Sequence, residues 1–129
     1  MSHNFHRLVP ALVLTLLDDQ SRRQAKQIAE YVYRNIDRAI RPIELARLVK
    51  RSPAHFSRQF RAMTTVTPSE YILLSRIGIA KKYLAETDMP LAEIAVATGF
   101  SSQSHFTTAF RRVEKTTPAK WRAAATPQD

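Results

Sequence analysis

The segment HFSRQFRAMTTVTPSEY at residues 55–71 recurs fifty residues later as HFTTAFRRVEKTTPAKW at residues 105–121. His, Phe, Phe, Arg, Thr, Pro and a large aromatic fall in the same register in both copies. A chain that spells one piece twice is committed to building one local structure twice. In both copies the phenylalanines lie four apart, the spacing that puts side chains on one face of a helix.

Punctuation around the two copies is helical. Ser52-Pro53 offers a capping serine followed by a first-turn proline. Thr67-Pro68-Ser69-Glu70 adds a glutamate at the capping-box position, Ser101-Ser102 can cap the second copy, and Thr117-Pro118 opens a last short helix. Pro42 and Pro90 open two further short helices, IELARLVK and LAEIAVATGF. Upstream, in RRQAKQIAEYVYRNI, Ala25, Ile28, Ala29, Val32 and Ile36 make one apolar face. The segment launched at Thr67 runs through Tyr71, Ile77, Ala80 and Leu84 to about Thr87, and no alternating strand pattern is present. The expected fold is all-α, with about seven helices plus a short N-terminal apolar segment.

Leu45-Ala46 corresponds to Ile94-Ala95 at an offset of 49, against 50 for the phenylalanines. One extra residue therefore falls in the second turn, placed by the sequence around Thr98-Gly99-Phe100. Each half then reads as short helix, tight turn, longer helix, which is a helix-turn-helix unit. The expected layout is an extension at 1–21, a domain at 22–124 and a tail at 125–129. Within the domain lie helix-turn-helix units at about 43–64 and 91–114 and a linker helix at about 68–87. The apolar run LVPALVLTLL at 8–17 is too short to span a bilayer. DDQSRR follows it where a cleavage site would need small residues. A short helix broken near Pro10, covering part of the core or mediating self-association, is expected there, and no membrane association.

Composition bounds the chemistry. A net charge of +9 in 129 residues points to an anionic partner, with nucleic acid, membrane surfaces and acidic proteins all open on charge alone. Zero cysteines exclude disulfides and thiolate chemistry. The histidines show no HExxH-like spacing, so neither a metal nor a cofactor is expected. No nucleophile, base and orienter set stands out, so an enzyme is not expected.

With Phe56 and Phe60 inward, helix geometry turns Ala54, Ser57, Arg58 and Arg61 outward. The matching positions fifty residues on are Ser104, Thr107, Thr108 and Arg111. These residues are small, hydroxylated or guanidinium-bearing, and none is acidic, whereas an ordinary solvated face mixes signs. Small side chains let a helix approach a duplex, hydroxyls bond phosphates or base edges, methyls touch thymine, and arginine grips guanine. Arg111, Arg112, Lys115, Lys120 and Arg122 add a basic cluster around the second long helix. A linker from Pro68 to Thr87 is about 30 Å long, close to the roughly 34 Å between successive major grooves on one DNA face.

Residues 22–124 resemble the DNA-binding domain of the AraC/XylS family of bacterial transcription regulators. The resemblance is carried by ELA at 44–46, FSRQF at 56–60, TPSEY at 67–71, RIGIAKKYL at 76–84, EIAVATGFSSQSHFTTAFRR at 93–112 and TPAKWR at 117–122. It implies a bipartite helix-turn-helix domain bound to double-stranded promoter DNA, usually to activate transcription; with both readers on one chain a monomer on DNA is expected, and RNA polymerase is expected as a further partner. It implies base readout at Ala54, Ser57, Arg58, Gln103, Ser104, His105, Thr107 and Thr108. For the DNA backbone, the candidates are Arg61, Arg111, Arg112, Thr117 and Lys120. A cytoplasmic, nucleoid-associated location follows from that role.

The chain departs from the family pattern in four ways. Thr65 and Lys115 stand where glycine often ends each recognition helix, so a left-handed cap would fall on a residue with a side chain. Ala54 replaces a large aromatic of some relatives, and Thr108 stands opposite Arg58 in the repeat. No effector-sensing domain accompanies the helices, so a stand-alone regulator controlled by its abundance, or a truncated one, is expected. The alternative reading is a protein-interaction antagonist that binds polymerase or another regulator through a degenerate domain. Tyr71 and Trp121 are expected in the core, and Arg76 paired with Glu70 or Glu93.

Overall fold

The structure is a computed structural model that describes residues 18–125. The helix expected around Pro10 lies outside the described residues, as does the tail beyond Ala125. Among the described residues all regular structure is helical: α1 Asp19–Arg34, α2 Pro42–Leu48, α3 Pro53–Thr64, α4 Pro68–Glu86, α5 Leu91–Ala97, α6 Gln103–Glu114 and α7 Pro118–Ala125. They fall into two compact units, one of residues 18–35 and 39–75, the other of Ile36–Arg38 and 76–125. Helix α4 contributes to both.

In the first unit α1 begins at Asp19, three residues ahead of the expected domain start. Asp18 caps it by accepting the Ser21 amide at 2.7 Å, and that bond holds the Asp18 carboxyl below its ordinary pKa. Ala25, Ile28, Ala29 and Val32 are buried on one stripe of α1, as their spacing requires. Ile36 is buried too, but it lies past the helix end and belongs to the second unit. Glu44 ties α1 to α2: one carboxylate oxygen accepts the Tyr31 hydroxyl at 2.6 Å and the other the Arg41 amide at 2.8 Å. Helices α2 and α3 pack together, with Leu45 and Ala46 of one and Phe56 and Phe60 of the other buried, and the Phe60 ring meets Tyr71 of α4 edge-on at 5.3 Å. Stacked edge to face, these rings gain from their quadrupoles as well as from burial.

The second unit repeats the plan with one addition. Phe106, Phe110 and Trp121 follow the order of Phe56, Phe60 and Tyr71, with Phe110 and Trp121 edge-on at 6.3 Å. The addition is a buried arginine. Arg76, 8% exposed, donates to the carbonyls of Ile36, Thr98 (2.8 Å) and Arg38 (2.8 Å). This corrects the expected pairing with Glu70 or Glu93. The guanidinium fork instead satisfies carbonyls left open by the turn after α1 and by the end of α5, and it fixes both segments. Burial first, and the neighbouring Arg38 charge second, lower its pKa from the ordinary arginine value.

Beside it, Gly99 has φ +82°, and a Cβ there would overlap both the Arg76 guanidinium and the Ile36 carbonyl. Glycine is required at that point for space as well as for conformation. Two charged groups finish the unit. Arg122 donates to the carbonyls of Leu84 (3.1 Å) and Thr87 (3.3 Å) at the C-terminal end of α4, where a cation also meets the negative end of the helix dipole. Lys81 bonds Glu114 at 3.1 Å and lies 5.5 Å from the centre of the Trp121 ring.

Candidate nucleic-acid interface

Each unit presents its second long helix in the same manner. Ser52 caps α3 and Ser102 caps α6, each accepting the amide of the histidine three residues on, at 3.3 and 3.0 Å. Each helix runs from its cap to a residue in the left-handed region, Thr65 at φ 68° and Lys115 at φ 64°. The absence of glycine therefore does not alter the cap geometry. A non-glycine residue there carries a penalty of about 1–2 kcal/mol, which the surrounding packing must offset.

The turns before the two helices also match. Arg51 N bonds Ala46 O at 3.0 Å and Phe100 N bonds Ala95 O at 2.9 Å, the wrapped end expected when the preceding residue is left-handed. Those preceding residues are Lys50 (φ 57°) and Gly99 (φ 82°), 49 apart, while the caps Ser52 and Ser102 are 50 apart. The extra residue is thus Ser101, after Phe100 rather than within Thr98-Gly99-Phe100. Lys50 adopts the left-handed state despite its side chain, a position that the sequence pattern did not flag.

The outward residues fall where the helical spacing puts them. On α3, Ala54, Ser57, Arg58 and Arg61 are exposed, with Phe56 and Phe60 buried beneath. On α6, Gln103, Ser104, His105, Thr108, Arg111 and Arg112 are exposed, Thr107 is half-buried, and Phe106, Ala109 and Phe110 are buried. Thr107, Thr108, Arg111 and Arg112 line one shallow open concavity, so two base-readout candidates and two phosphate candidates share a surface. The last two candidates belong to α7. Thr117 is half-buried and accepts the Lys120 amide at 3.2 Å as a helix cap, and Lys120 is exposed. The capping bond leaves the Thr117 hydroxyl proton free for an acceptor.

Arg122 does not belong with this cluster, because its guanidinium is turned to the end of α4. Each of the two helices carries net positive charge nonetheless. Neither α3 nor α6 has an acidic residue in its first turn, and the acid that ends α6, Glu114, is held by Lys81. His105 is positioned more closely than sequence reasoning foresaw. Its Nδ1 lies 3.2 Å from Ser101 Oγ, and its ring stands edge-on to Phe100 at 5.2 Å and 87°. Such a face offers hydrogen-bond donors, methyls and fixed positive charge to a polyanion with readable edges. Among the described residues no group of three or more His, Asp or Glu side chains could hold a metal, and no helix is long and apolar enough to cross a membrane.

Comparison with known proteins agrees with this architecture. A family profile described as "Helix-turn-helix domain" matches residues 45–124. The regulatory protein SoxS of Salmonella typhimurium is 32% identical over 95 residues, which cover 74% of this chain and 89% of SoxS. A solved transcriptional regulator of Chromobacterium violaceum, described as containing an AraC-type DNA-binding domain, superposes with a TM-score of 0.76 at 27% identity, over 84% of this chain and 96% of that one. The DNA-binding domain of AdpA, solved in complex with a target DNA, superposes with a TM-score of 0.71 at 26% identity, over 77% of this chain and 89% of that one. Three other curated relatives, 33%, 34% and 41% identical over the aligned stretches, are spanned over only 38%, 45% and 62% of their length.

Proposed function

The chain belongs to the helix-turn-helix regulators of the AraC/XylS type, and from that premise we propose that it is a sequence-specific DNA-binding transcription regulator. The observation that carries this reading is the pair of capped helices whose outward faces hold no acid and whose inward faces are anchored by matched phenylalanines. Base readout falls to Ala54, Ser57 and Arg58 on α3 and to Gln103, Ser104, His105, Thr107 and Thr108 on α6. Arg61, Arg111, Arg112, Thr117 and Lys120 take the phosphates and set the register. The two helices enter consecutive major grooves from a single chain, so the bound site is asymmetric. Promoter activation through RNA polymerase, in the bacterial cytoplasm, completes the proposal.

Footprinting on fragments of the host genome tests it. Protection of discrete promoter-proximal sites, surviving excess random duplex, is the expected result. Uniform, salt-labile coating of every fragment would leave only non-specific polyanion binding and sink the reading.

A further inference from the structure

We propose that Ser101 is a positioning residue for DNA binding: with Phe100 it fixes the His105 imidazole so that Nε2–H is presented as a single directed donor to an acceptor atom of DNA. The proposal rests on the DNA-binding reading and deepens it. An exposed histidine at the start of a helix ordinarily samples several rotamers, and any contact it makes must first offset that freedom. His105 is held at two points, Nδ1 by Ser101 Oγ at 3.2 Å and the ring by the edge-on contact with Phe100 at 5.2 Å.

The direction of the Ser101 bond follows from its surroundings. The ring sits in the first turn of α6, whose backbone amides make the positive end of the helix; the His105 amide itself bonds Ser102 Oγ at 3.0 Å. There a lone pair on Nδ1, the ring nitrogen nearer the backbone, is favoured over an N–H. The serine hydroxyl can donate into it, an arrangement that puts the ring proton on Nε2. The Nε2–H is then the ring's outward donor, suited to a phosphate oxygen or to a purine N7.

The first unit cannot copy the device. Its turn lacks the residue equivalent to Ser101, and Arg51 replaces Phe100, so neither contact can form around His55. The inserted residue thus makes the two halves read DNA unequally.

The test begins on the free chain. Side-chain couplings of His105 should report one χ1 rotamer, and Ser101→Ala should average them. Binding is then measured on the duplex recovered by selection from a random library. Ser101→Ala is expected to weaken binding by about three- to tenfold, the range for one modest hydrogen bond, while Ser101→Thr, which keeps the hydroxyl, restores it. In a His105→Ala background, Ser101→Ala should add nothing, because its effect passes through the imidazole. A loss shared by all duplexes assigns the acceptor to phosphate; a loss at one purine, mimicked by 7-deazapurine, assigns it to N7. Equal losses with and without His105, or couplings unchanged by Ser101→Ala, would overturn the proposal. A wild-type chain with the locked rotamer but no selected duplex would instead remove the DNA reading, and the proposal with it.

Discussion

Arg58 carries a planar, permanently charged fork on the exposed side of α3, on the helix that Phe56 and Phe60 pin to the core. Arg58→Ala is expected to weaken binding to the cognate site by about 1–3 kcal/mol and to relax preference at one or two base pairs. Equilibrium titrations on cognate and single-substituted duplexes check this; an equal loss on every sequence would reassign Arg58 to phosphate. Tyr71, 2% exposed, makes a different prediction. Burial pushes its pKa up to about 12 from 10. The folded state then holds a proton that the unfolded chain gives up above pH 10, so stability is full below that pH and falls as pH climbs toward 12. The loss approaches about 2–3 kcal/mol. Urea midpoints across that window should fall, and Tyr71→Phe should flatten the fall even where it lowers the plateau. At this scale the sequence was partly legible. Inward and outward positions followed from the spacing of Phe56 and Phe60. Arg76 did not, because its partners are backbone carbonyls at Ile36, Arg38 and Thr98 that only the folded turns bring to it.

Helix starts were the most legible elements, since Ser52-Pro53, Thr67-Pro68 and Ser102 state their local physics in residue type. Thr67 Oγ1 accepts the Glu70 amide at 3.2 Å, as the capping pattern required. Turn ends were harder. The extra residue of the second turn sits at Ser101 because Gly99 is fixed by its left-handed φ and by Arg76 pressing against it, a packing constraint invisible in the repeat. The thirteen candidate contact residues were assigned from helical spacing and family resemblance together. On α3 and α6 all of them but the half-buried Thr107 are exposed, and Thr117 and Lys120 share the capping turn of α7. For the exposed Lys120, alanine should weaken cognate and random duplexes alike. The slope of log affinity against log salt should flatten by about one unit, the signature of one phosphate contact. An altered base preference at unchanged slope would contradict the assignment.

At the scale of the molecule, α4 is one helix of 19 residues that supplies 68–75 to one unit and the rest to the other. Its length, about 28 Å at 1.5 Å per residue, is the ruler on which the proposed two-groove site depends. Helix α4 has no internal proline, and Arg122 closes its last turn. The most direct measurement is binding to a selected site with base pairs inserted between its half-elements, expected about 10 base pairs apart. Five inserted pairs rotate one half-element to the opposite face. Affinity should then drop to that of a single half-site, a loss of several kcal/mol. Ten inserted pairs restore the face but not the distance, so the account predicts that tight binding by one chain does not return. Recovery at ten pairs, or a palindromic footprint occupied by two chains, would contradict it.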